Sequence, residues 1–280
     1  MALRGYRLGG WRASGVAVAL ACALVAPALL QADGSAAGAE HTFPGAYEVD
    51  IDGGGLNLHI TGTNSTSVKV VEASLPQGTT VAYSDAGGKV SISVSGGTGA
   101  PVAAADDPPS KGTLEITMPR YEFLHAVTTS GDIVIDNLST EKLSLQSGSG
   151  AITAKNSNAA LVASSDSGPQ TFDAVYGAIT STSTSGTIEV DGGIGVLHLT
   201  SHHGAIKGSG FILQAPSTFE TEDGQIAISF GNGLAGLAFR LKSTTGALDV
   251  GTLHGSGSLS WGSSGVVITG TSTSGSQRYD

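Results

Sequence analysis

The segment Leu197–Gly208 reads LHLTSHHGAIKG, and it contains the unit from which most of the chain is built. Apolar and polar residues alternate on both sides of Gly204, which is the pattern of two half-buried β-strands. The polar string that ends in this glycine is typical of a turn. The segment therefore predicts a strand, a turn at Gly204 and a second strand.

The same unit recurs throughout the second half of the chain. Eight glycines follow one another at intervals of 18 to 22 residues, seven of them with an apolar residue two places later and seven with a Ser or Thr three places earlier. These predicted structural repeat corners are Gly131, Gly150, Gly168, Gly186, Gly204, Gly224, Gly246 and Gly265. Such a period is too short for a propeller blade and fits one coil of a β-solenoid, in which each coil covers its neighbour's apolar layer.

Glycine suits a solenoid corner for either of two reasons, a positive φ angle or a close approach of backbones from adjacent coils. The hydroxyl three places before each glycine can bond to the backbone of the turn. Both features are explained by structure alone, so we assign no catalytic, cofactor-binding or metal-binding role to any residue of the repeat.

The rest of the chain divides around these repeats. Alternating strands separated by turn-rich strings also fill the N-terminal half, although less regularly, and a Pro-rich loop interrupts them. We predict a signal peptide at 1–39, an irregular β-strand region at 40–113 with a mobile loop at 96–112, regular solenoid repeats at 114–270 and a C-terminal tail at 271–280. We favour one continuous solenoid, because the strand that follows the loop runs straight into the first repeat.

The N-terminus has the pattern of a secretory signal peptide. Three arginines precede an apolar run at 15–30, and an A-x-A site follows at 37–39. An uncleaved membrane anchor is the competing interpretation, but the run is shorter than the ~20 residues that span a bilayer. We expect Glu40 to be the first mature residue, with cleavage after Ala32 or Ala37 left open. The mature protein would then be extracytoplasmic, in a periplasm, at the outer surface or secreted, without a stable membrane span.

Composition excludes several classes of protein. The 280 residues include 42 glycines, a single cysteine and a net charge of −10. A hydrophobic fraction of 40% with only 13% charged residues fits neither a disordered acidic chain nor a coiled coil. Without a basic stripe the chain is not expected to bind nucleic acid. Cleavage before Glu40 would remove the only cysteine, so the mature domain would fold without disulfides.

One stretch resembles a known family. The strand LEITMP (Leu114–Pro119) is followed by TTSGDIVI (Thr128–Ile135) and by repeated SG-x-I-x-V units. This order is similar to the bacterial putative adhesin family, a secreted β-strand-repeat domain of unknown function related in pattern to the head domain of auto-transporter adhesins. The resemblance spans about residues 45–270 and implies a right-handed β-helix-like fold on an extracytoplasmic protein, with adhesion as its function. It provides no catalytic motif.

Metal and cofactor signals are weak. His202 and His203 could form half of a metal site, but adjacent histidines point apart and no other histidine occupies the same position in a unit. The string from Asp191 to Gly195 is similar to a calcium-binding nonapeptide repeat, yet Leu197 stands where the motif needs Asp. We therefore predict no metal and no cofactor.

Two further functions are polysaccharide cleavage and the binding of ice or crystalline glycan. A β-helix polysaccharide lyase or hydrolase needs clustered carboxylates with a nearby Arg or Lys. The candidate carboxylates are Asp166 with Asp173, and Glu220 with Glu222 and Asp223, whereas the arginines after residue 39 are Arg120, Arg240 and Arg278. The alternate hydroxyls of Thr180–Gly186 could bind ice or crystalline glycan, but the neighbouring units do not repeat that pattern.

The sequence thus predicts an all-β protein, a right-handed parallel β-solenoid with coils of about 18 to 20 residues and a less regular N-terminal β region. We expect a non-enzymatic cell-surface or envelope adhesin whose polar, acidic, Ser/Thr-rich face binds a glycan or protein partner. The alternatives are a β-helix polysaccharide lyase or hydrolase and a periplasmic scaffold or sensor module. Exposed strand edges at the solenoid ends also permit self-association.

Overall fold

The computed structural model describes residues 30–31, 38–96 and 111–280, so most of the predicted signal peptide and most of the predicted 96–112 loop lie outside the described residues. These residues form 24 strands and one 3-10 helix. The N-terminal strands are β1 (Leu30–Gln31), β2 (Glu40–Pro44), β3 (Glu48–Asp52), β4 (Asn57–Thr63), β5 (Ser67–Ser74), β6 (Thr79–Ala86), β7 (Lys89–Gly96) and β8 (Thr113–Pro119). The central strands are β9 (Phe123–Thr128), β10 (Ile133–Asp136), β11 (Ser139–Ser147), β12 (Ile152–Lys155), β13 (Asn158–Ser165), β14 (Gln170–Asp173), β15 (Tyr176–Ser183), β16 (Ile188–Asp191), β17 (Ile194–Ser201), β18 (Ile206–Leu213), β19 (Ser217–Thr221) and β20 (Ile226–Phe230). The 3-10 helix Leu234–Gly236 precedes β21 (Ala238–Val250), β22 (Leu253–Trp261), β23 (Val267–Ser272) and β24 (Gln277–Tyr279).

The central strands form two parallel ladders. One ladder stacks β9, β11, β13, β15, β17 and β19, and the other stacks β10, β12, β14, β16, β18 and β20. Each coil contributes one strand to each ladder, and a glycine corner joins the two strands. The predicted all-β parallel solenoid is therefore confirmed, while its right-handed sense stays a prediction from the resemblance.

Alternation along the strands places the core between the two ladders. In β16 the side chains of Ile188 and Val190 are buried, and Glu189 between them faces outward with partial exposure. In-register neighbours such as Ile206 continue the apolar row in the next coil. Each coil thus protects the apolar layer of the adjacent coil, as the repeat predicts.

This inside-outside assignment gives a first testable prediction. Ile188→Asp should destabilise the protein by roughly 3 kcal/mol or more, because it places an unpaired carboxylate in the core. Glu189→Lys, one residue away but facing outward, should change the free energy of unfolding by less than about 0.5 kcal/mol. Urea unfolding of the two variants measures the difference, and equal midpoints would contradict the assignment.

The last coils do not stack in chain order. Strand β23 pairs with β19 and β24 pairs with β20, so residues 267–279 form the coil directly above β19 and β20. Strand β21 lies beyond that coil, paired with both β23 and β24, and β22 pairs antiparallel with β21 at the end of the solenoid. The predicted C-terminal tail at 271–280 is therefore wrong, since Gln277 and Tyr279 are fully buried within the stack.

The same rearrangement corrects one predicted corner. Gly265 is exposed and has no atom within 4 Å of the position that a side chain would take, because it lies in the connection after β22 rather than at a corner. Gly275 occupies the corner instead, stacked between Gly224 and Gly246. The structure places the other seven predicted glycines at successive corners of the stack.

Close approach, and not positive φ, explains glycine at these corners. None of the eight stacked glycines has a φ angle in the left-handed region. A methyl group on Gly150 would overlap the carbonyl oxygen of Gly131, and one on Gly168 would overlap that of Gly150. The relation repeats up to Gly246, so each corner carbonyl packs against the Cα of the next glycine. No side chain fits between them.

The hydroxyl three places before each corner points inward. The members of this row are Thr128, Ser147, Ser165, Ser183, Ser201, Thr221, Ser272 and Ser243. Thr128 Oγ1 donates to the Gly131 carbonyl at 2.7 Å, and Ser183 Oγ accepts the Gly186 N–H at 2.8 Å. Most members of the row therefore bond to their own turn, whereas Ser147 bonds to the Gly131 carbonyl of the preceding coil and Ser201 Oγ has no hydrogen-bond partner among the described residues. Except at half-buried Ser272, the row is buried rather than displayed.

Two buried glutamines interrupt the apolar row in equivalent ways. Gln170 donates to Ser165 Oγ at 3.0 Å and to the Thr182 carbonyl of the next coil at 2.6 Å. Gln277 donates to Ser272 Oγ at 3.0 Å and to the Lys242 carbonyl at 2.7 Å. Because the second pattern matches the first, it supports the stacking of the 267–279 coil beneath β21.

The N-terminal region continues both ladders. Strand β3 pairs parallel with β9, and β4 pairs parallel with β10, which agrees with a continuous solenoid. Antiparallel pairs of β2 with β5, β5 with β8 and β6 with β7 make this region less regular. Strand β8 pairs with β4 and β5, so it belongs to the N-terminal region rather than to the regular coils that we predicted to begin at residue 114.

Candidate functional site

An open groove runs along the outer edge of the first ladder, next to the glycine corners. It consists of two adjoining cavities of about 380 and 260 Å³ that share Thr200 and His202. Sixteen residues line them, and none is Lys or Arg. Five Ser or Thr residues among them reach the surface, Ser164, Thr182, Thr184, Thr200 and Thr271, whereas the other five belong to the buried inward row. We call this feature the hydroxyl groove.

Coil stacking builds the floor of the hydroxyl groove. Consecutive strands place one outward residue per coil in register, in the order Gln146, Ser164, Thr182, Thr200, Glu220 and Thr271. With adjacent strands ~4.8 Å apart, these six positions extend over about 24 Å. The groove is thus long and shallow, which suits an extended polymer better than a compact small molecule.

Two imidazole–carboxylate pairs lie at the corner beside the groove. His202 Nδ1 is 3.3 Å from Glu222 Oε1, and His203 Nδ1 is 3.0 Å from Asp223 Oδ1. The two rings are edge to face, with centroids 6.4 Å apart. Stacking of the corners brings each histidine to the acid of the next coil, so the two imidazoles belong to two separate pairs.

Two other carboxylates line the groove without such a partner. Asp166 lies in the larger cavity and Glu220 in the smaller one. Within residues 38–96 and 111–280, neither carboxylate forms an ion pair with a Lys, Arg or His side chain. The groove therefore carries hydroxyls together with uncompensated negative charge.

The predicted catalytic carboxylates are only partly brought together. Glu220, Glu222 and Asp166 line the groove, whereas Asp173 is in β14 of the second ladder. Arg240 is in β21, and its guanidinium donates to the Phe239 carbonyl at 2.8 Å. In the described part of the chain, no group of three or more His, Cys, Asp or Glu side chains could hold a metal ion.

A wider cleft lies beside the N-terminal ends of β11, β13 and β15 in the first ladder. Its volume is about 510 Å³, and its wall is Tyr121, which is 70% exposed. Ala160, Gly177 and Ala178 form part of its floor. The cleft is more open and less polar than the hydroxyl groove. The cleft is thus a second surface, separate from the hydroxyl groove, at which a ligand could bind.

The N-terminal region contains a buried polar cluster that was not predicted from the sequence. Glu72 is completely buried in β5, where Tyr83 donates to its Oε1 at 2.7 Å and His41 Nε2 lies 3.6 Å away. The His41 and Tyr83 rings stack with centroids 4.1 Å apart. Burial, followed by the hydrogen bond to Glu72, raises the pKa of Tyr83 well above its ordinary value. Tyr83 thus satisfies one oxygen of the buried carboxylate, whereas Glu72 Oε2 has no hydrogen-bond partner among the described residues. An acidic residue at an inward position of a strand was the available signal.

No helix within the described residues has the length and apolar character needed to cross a membrane.

Comparison with known families matches most of the chain. A family model described as Toastrack DUF4097 matches residues 47–280, which include β3 to β24. Among solved structures, the chain is similar to the crystal structure of a putative cell adhesion protein from Clostridium sporogenes ATCC 15579. That similarity has 10% identity and a TM-score of 0.32, and it covers 86% of this chain and 98% of that chain. No curated protein matches the chain.

Proposed function

Because the chain belongs to the Toastrack DUF4097 family, a domain family of unknown function, we propose its function from its own surface: it is a non-enzymatic, extracytoplasmic adhesion module whose hydroxyl groove binds a glycan. The observation that carries the proposal is the in-register row of outward polar side chains across six coils. A solenoid repeats the same surface at a fixed interval, and a polysaccharide repeats its hydroxyls in the same manner.

The chemistry of the groove supports a sugar ligand. Each Ser or Thr hydroxyl can donate one hydrogen bond and accept others, and its hydrogen rotates to suit the partner. Thr182 and Thr200 occupy adjacent coils in the middle of the row. β-Branching restricts their χ1 angles, so less side-chain entropy is lost when a ligand binds. The groove is therefore suited to many weak, similar contacts along a polymer.

A binding role is favoured over catalysis by the composition of the groove. Cleavage of a polysaccharide needs an acid and a base, or a base and a cation, held around one bond. In the hydroxyl groove the carboxylates are spread over several coils, and the lining residues contain no Lys or Arg. We therefore propose binding without turnover.

Removing the central hydroxyls tests the binding surface. The double variant Thr182→Val/Thr200→Val keeps the shape of both side chains and should weaken binding of a responsive oligosaccharide by about 5- to 30-fold, at ~0.5 to 1 kcal/mol per lost hydrogen bond. Titration calorimetry against neutral, amino and acidic sugar hexamers measures the effect.

The matched control for this titration is Thr153→Val/Thr171→Val, on adjacent outward positions of the second ladder, which should bind like the parent protein. Tyr121→Ala tests the wider cleft. Loss of binding only in the Tyr121 variant, or equal loss in both threonine pairs, would contradict the assignment to the hydroxyl groove.

The location of the processed protein separates adhesion from a periplasmic scaffold or sensor role. We expect a mature N-terminus near Glu40 and digestion of the protein when intact native cells are treated with protease. A pool that is protected from protease in intact cells but released on lysis would contradict surface adhesion and favour the scaffold or sensor role.

Self-association is a separate property of the purified protein. If the exposed edge of β22 pairs with a second copy, the molecular mass measured in solution should increase with protein concentration.

A further inference from the structure

The charge of the hydroxyl groove indicates which glycans it can accept. Asp166 and Glu220 line its two cavities, three coils apart or about 14 Å along the solenoid. Glu222 and Asp223 stand beside them at the corner, each paired with a histidine of the preceding coil. A ligand lying in the groove would therefore pass at least two carboxylates that have no ion-pair partner among the described residues.

From this arrangement we infer that the groove selects a polysaccharide with free amino groups, a polymer of the glucosamine type, over neutral and acidic polysaccharides. The inference rests on the proposed function and names the ligand class of the same site. Sugar hydroxyls would contact the outward side chains of the groove, such as Thr182 and Thr200. Ammonium groups would approach Asp166 and Glu220. Charge complementarity of this kind contributes to specificity and to the rate of association.

The competing ligand classes fit the groove less well. An acidic polysaccharide would bring its carboxylates towards Asp166 and Glu220, and the lining residues provide no Lys or Arg to compensate. Like charges repel one another, and the repulsion is stronger near a protein surface than in bulk water. A neutral polysaccharide would meet no repulsion but would gain nothing from the two carboxylates.

Three oligosaccharides of equal length and different charge test the inference. We expect the glucosamine hexamer, at a pH at which its amines are protonated, to bind about 10-fold more tightly than the N-acetylglucosamine hexamer. The galacturonate hexamer should bind most weakly. The preference for the amino sugar should decrease as salt is raised, because these carboxylates are exposed to solvent.

The double variant Asp166→Asn/Glu220→Gln isolates the two carboxylates. It should lose most of the preference for glucosamine, about 5- to 10-fold, so that the glucosamine and N-acetylglucosamine hexamers bind with nearly equal affinity. The matched control is Asp173→Asn/Glu189→Gln, which removes the same charge from outward positions of the second ladder and should bind like the parent protein.

Each outcome of these titrations has a distinct meaning. If the neutral hexamer binds as tightly as the amino hexamer, or the acidic hexamer binds best, glycan binding stands and the inference on charge is overturned. The inference is also overturned if Asp166→Asn/Glu220→Gln and its control Asp173→Asn/Glu189→Gln weaken glucosamine binding equally, since the net charge of the protein would then explain the effect. If a lysine oligomer of equal charge binds as tightly as the glucosamine hexamer, the groove recognises charge without sugar and the inference is again overturned. If none of the three sugars binds, the proposed function itself fails.

Discussion

Replacing Gly150 with alanine should destabilise the solenoid by about 3 kcal/mol or more, because the new methyl group would overlap the Gly131 carbonyl of the adjacent coil. The atoms in conflict belong to the backbone, so a change of side-chain rotamer cannot relieve the overlap. The coils would have to separate at this corner, which disrupts the parallel ladders on both sides. Urea unfolding measures the change in free energy.

Gly265→Ala is the matched control for this effect. Gly265 belongs to the same series in the sequence, but the structure leaves open space around it and its φ angle is outside the left-handed region. We expect a change within about 0.5 kcal/mol, with slight stabilisation from the lower entropy of the unfolded chain. Equal destabilisation by the two substitutions would contradict the stacking order of the last coils.

Tyr279→Ala should destabilise the protein by about 3 to 5 kcal/mol, since it removes a completely buried aromatic side chain. The Tyr279 ring lies between Phe219, Phe230 and Phe239, with centroid separations of 6.1, 6.1 and 5.4 Å. Burial also raises the pKa of Tyr279 well above its ordinary value, so the phenol stays protonated. Tyr279, the penultimate residue of the sequence, therefore connects the final hairpin to the coils below it.

Tyr121→Ala provides the comparison for an exposed tyrosine and should alter stability by less than about 0.5 kcal/mol. Thermal unfolding of the two tyrosine variants, followed by circular dichroism, distinguishes a buried from a free C-terminus. If Tyr279→Ala melted with the parent protein, residues 271–280 would be a tail, as predicted from the sequence. The insertion of β23 and β24 beneath β21 would then be wrong.

The sequence was sufficient to predict the solenoid because its period is marked by a residue with a steric role. Corner glycines must recur once per coil, and period-2 alternation identifies the strands between them. The same alternation indicated that the hydroxyl row faces inward, because Leu197, Leu199 and Ser201 are in the same phase of β17. Its burial could therefore have been predicted from the sequence.

The order of the last coils could not be read from spacing. Gly265 lies at the expected interval from Gly246, but the hairpin of β21 and β22 reverses the chain there and returns it beneath β21. Linear periodicity assumes that consecutive repeats are neighbours in space. The second buried glutamine, Gln277, was the available signal, because it stands two places after Gly275 as Gln170 stands after Gly168.

The hydroxyl groove likewise depends on contacts between coils. His202 and Glu222 are twenty residues apart in the chain, and stacking brings their side chains to 3.3 Å. A sequence shows which residues occupy one strand, but the lateral neighbours become known only when the register between strands is known. The sequence therefore predicted the fold on which the candidate site lies. It did not predict the register between strands of adjacent coils, which brings the residues of the site together.

NMR of the threonine methyl groups during titration with the glucosamine hexamer shows directly where the sugar binds. Thr182 and Thr200 line the groove, whereas Thr153 and Thr171 lie on the second ladder as internal references. We expect saturable chemical-shift changes at Thr182 and Thr200 and none at Thr153 and Thr171. Shifts confined to threonines outside the groove, or no shifts at saturating sugar, would contradict the assignment of this groove as a glycan-binding site.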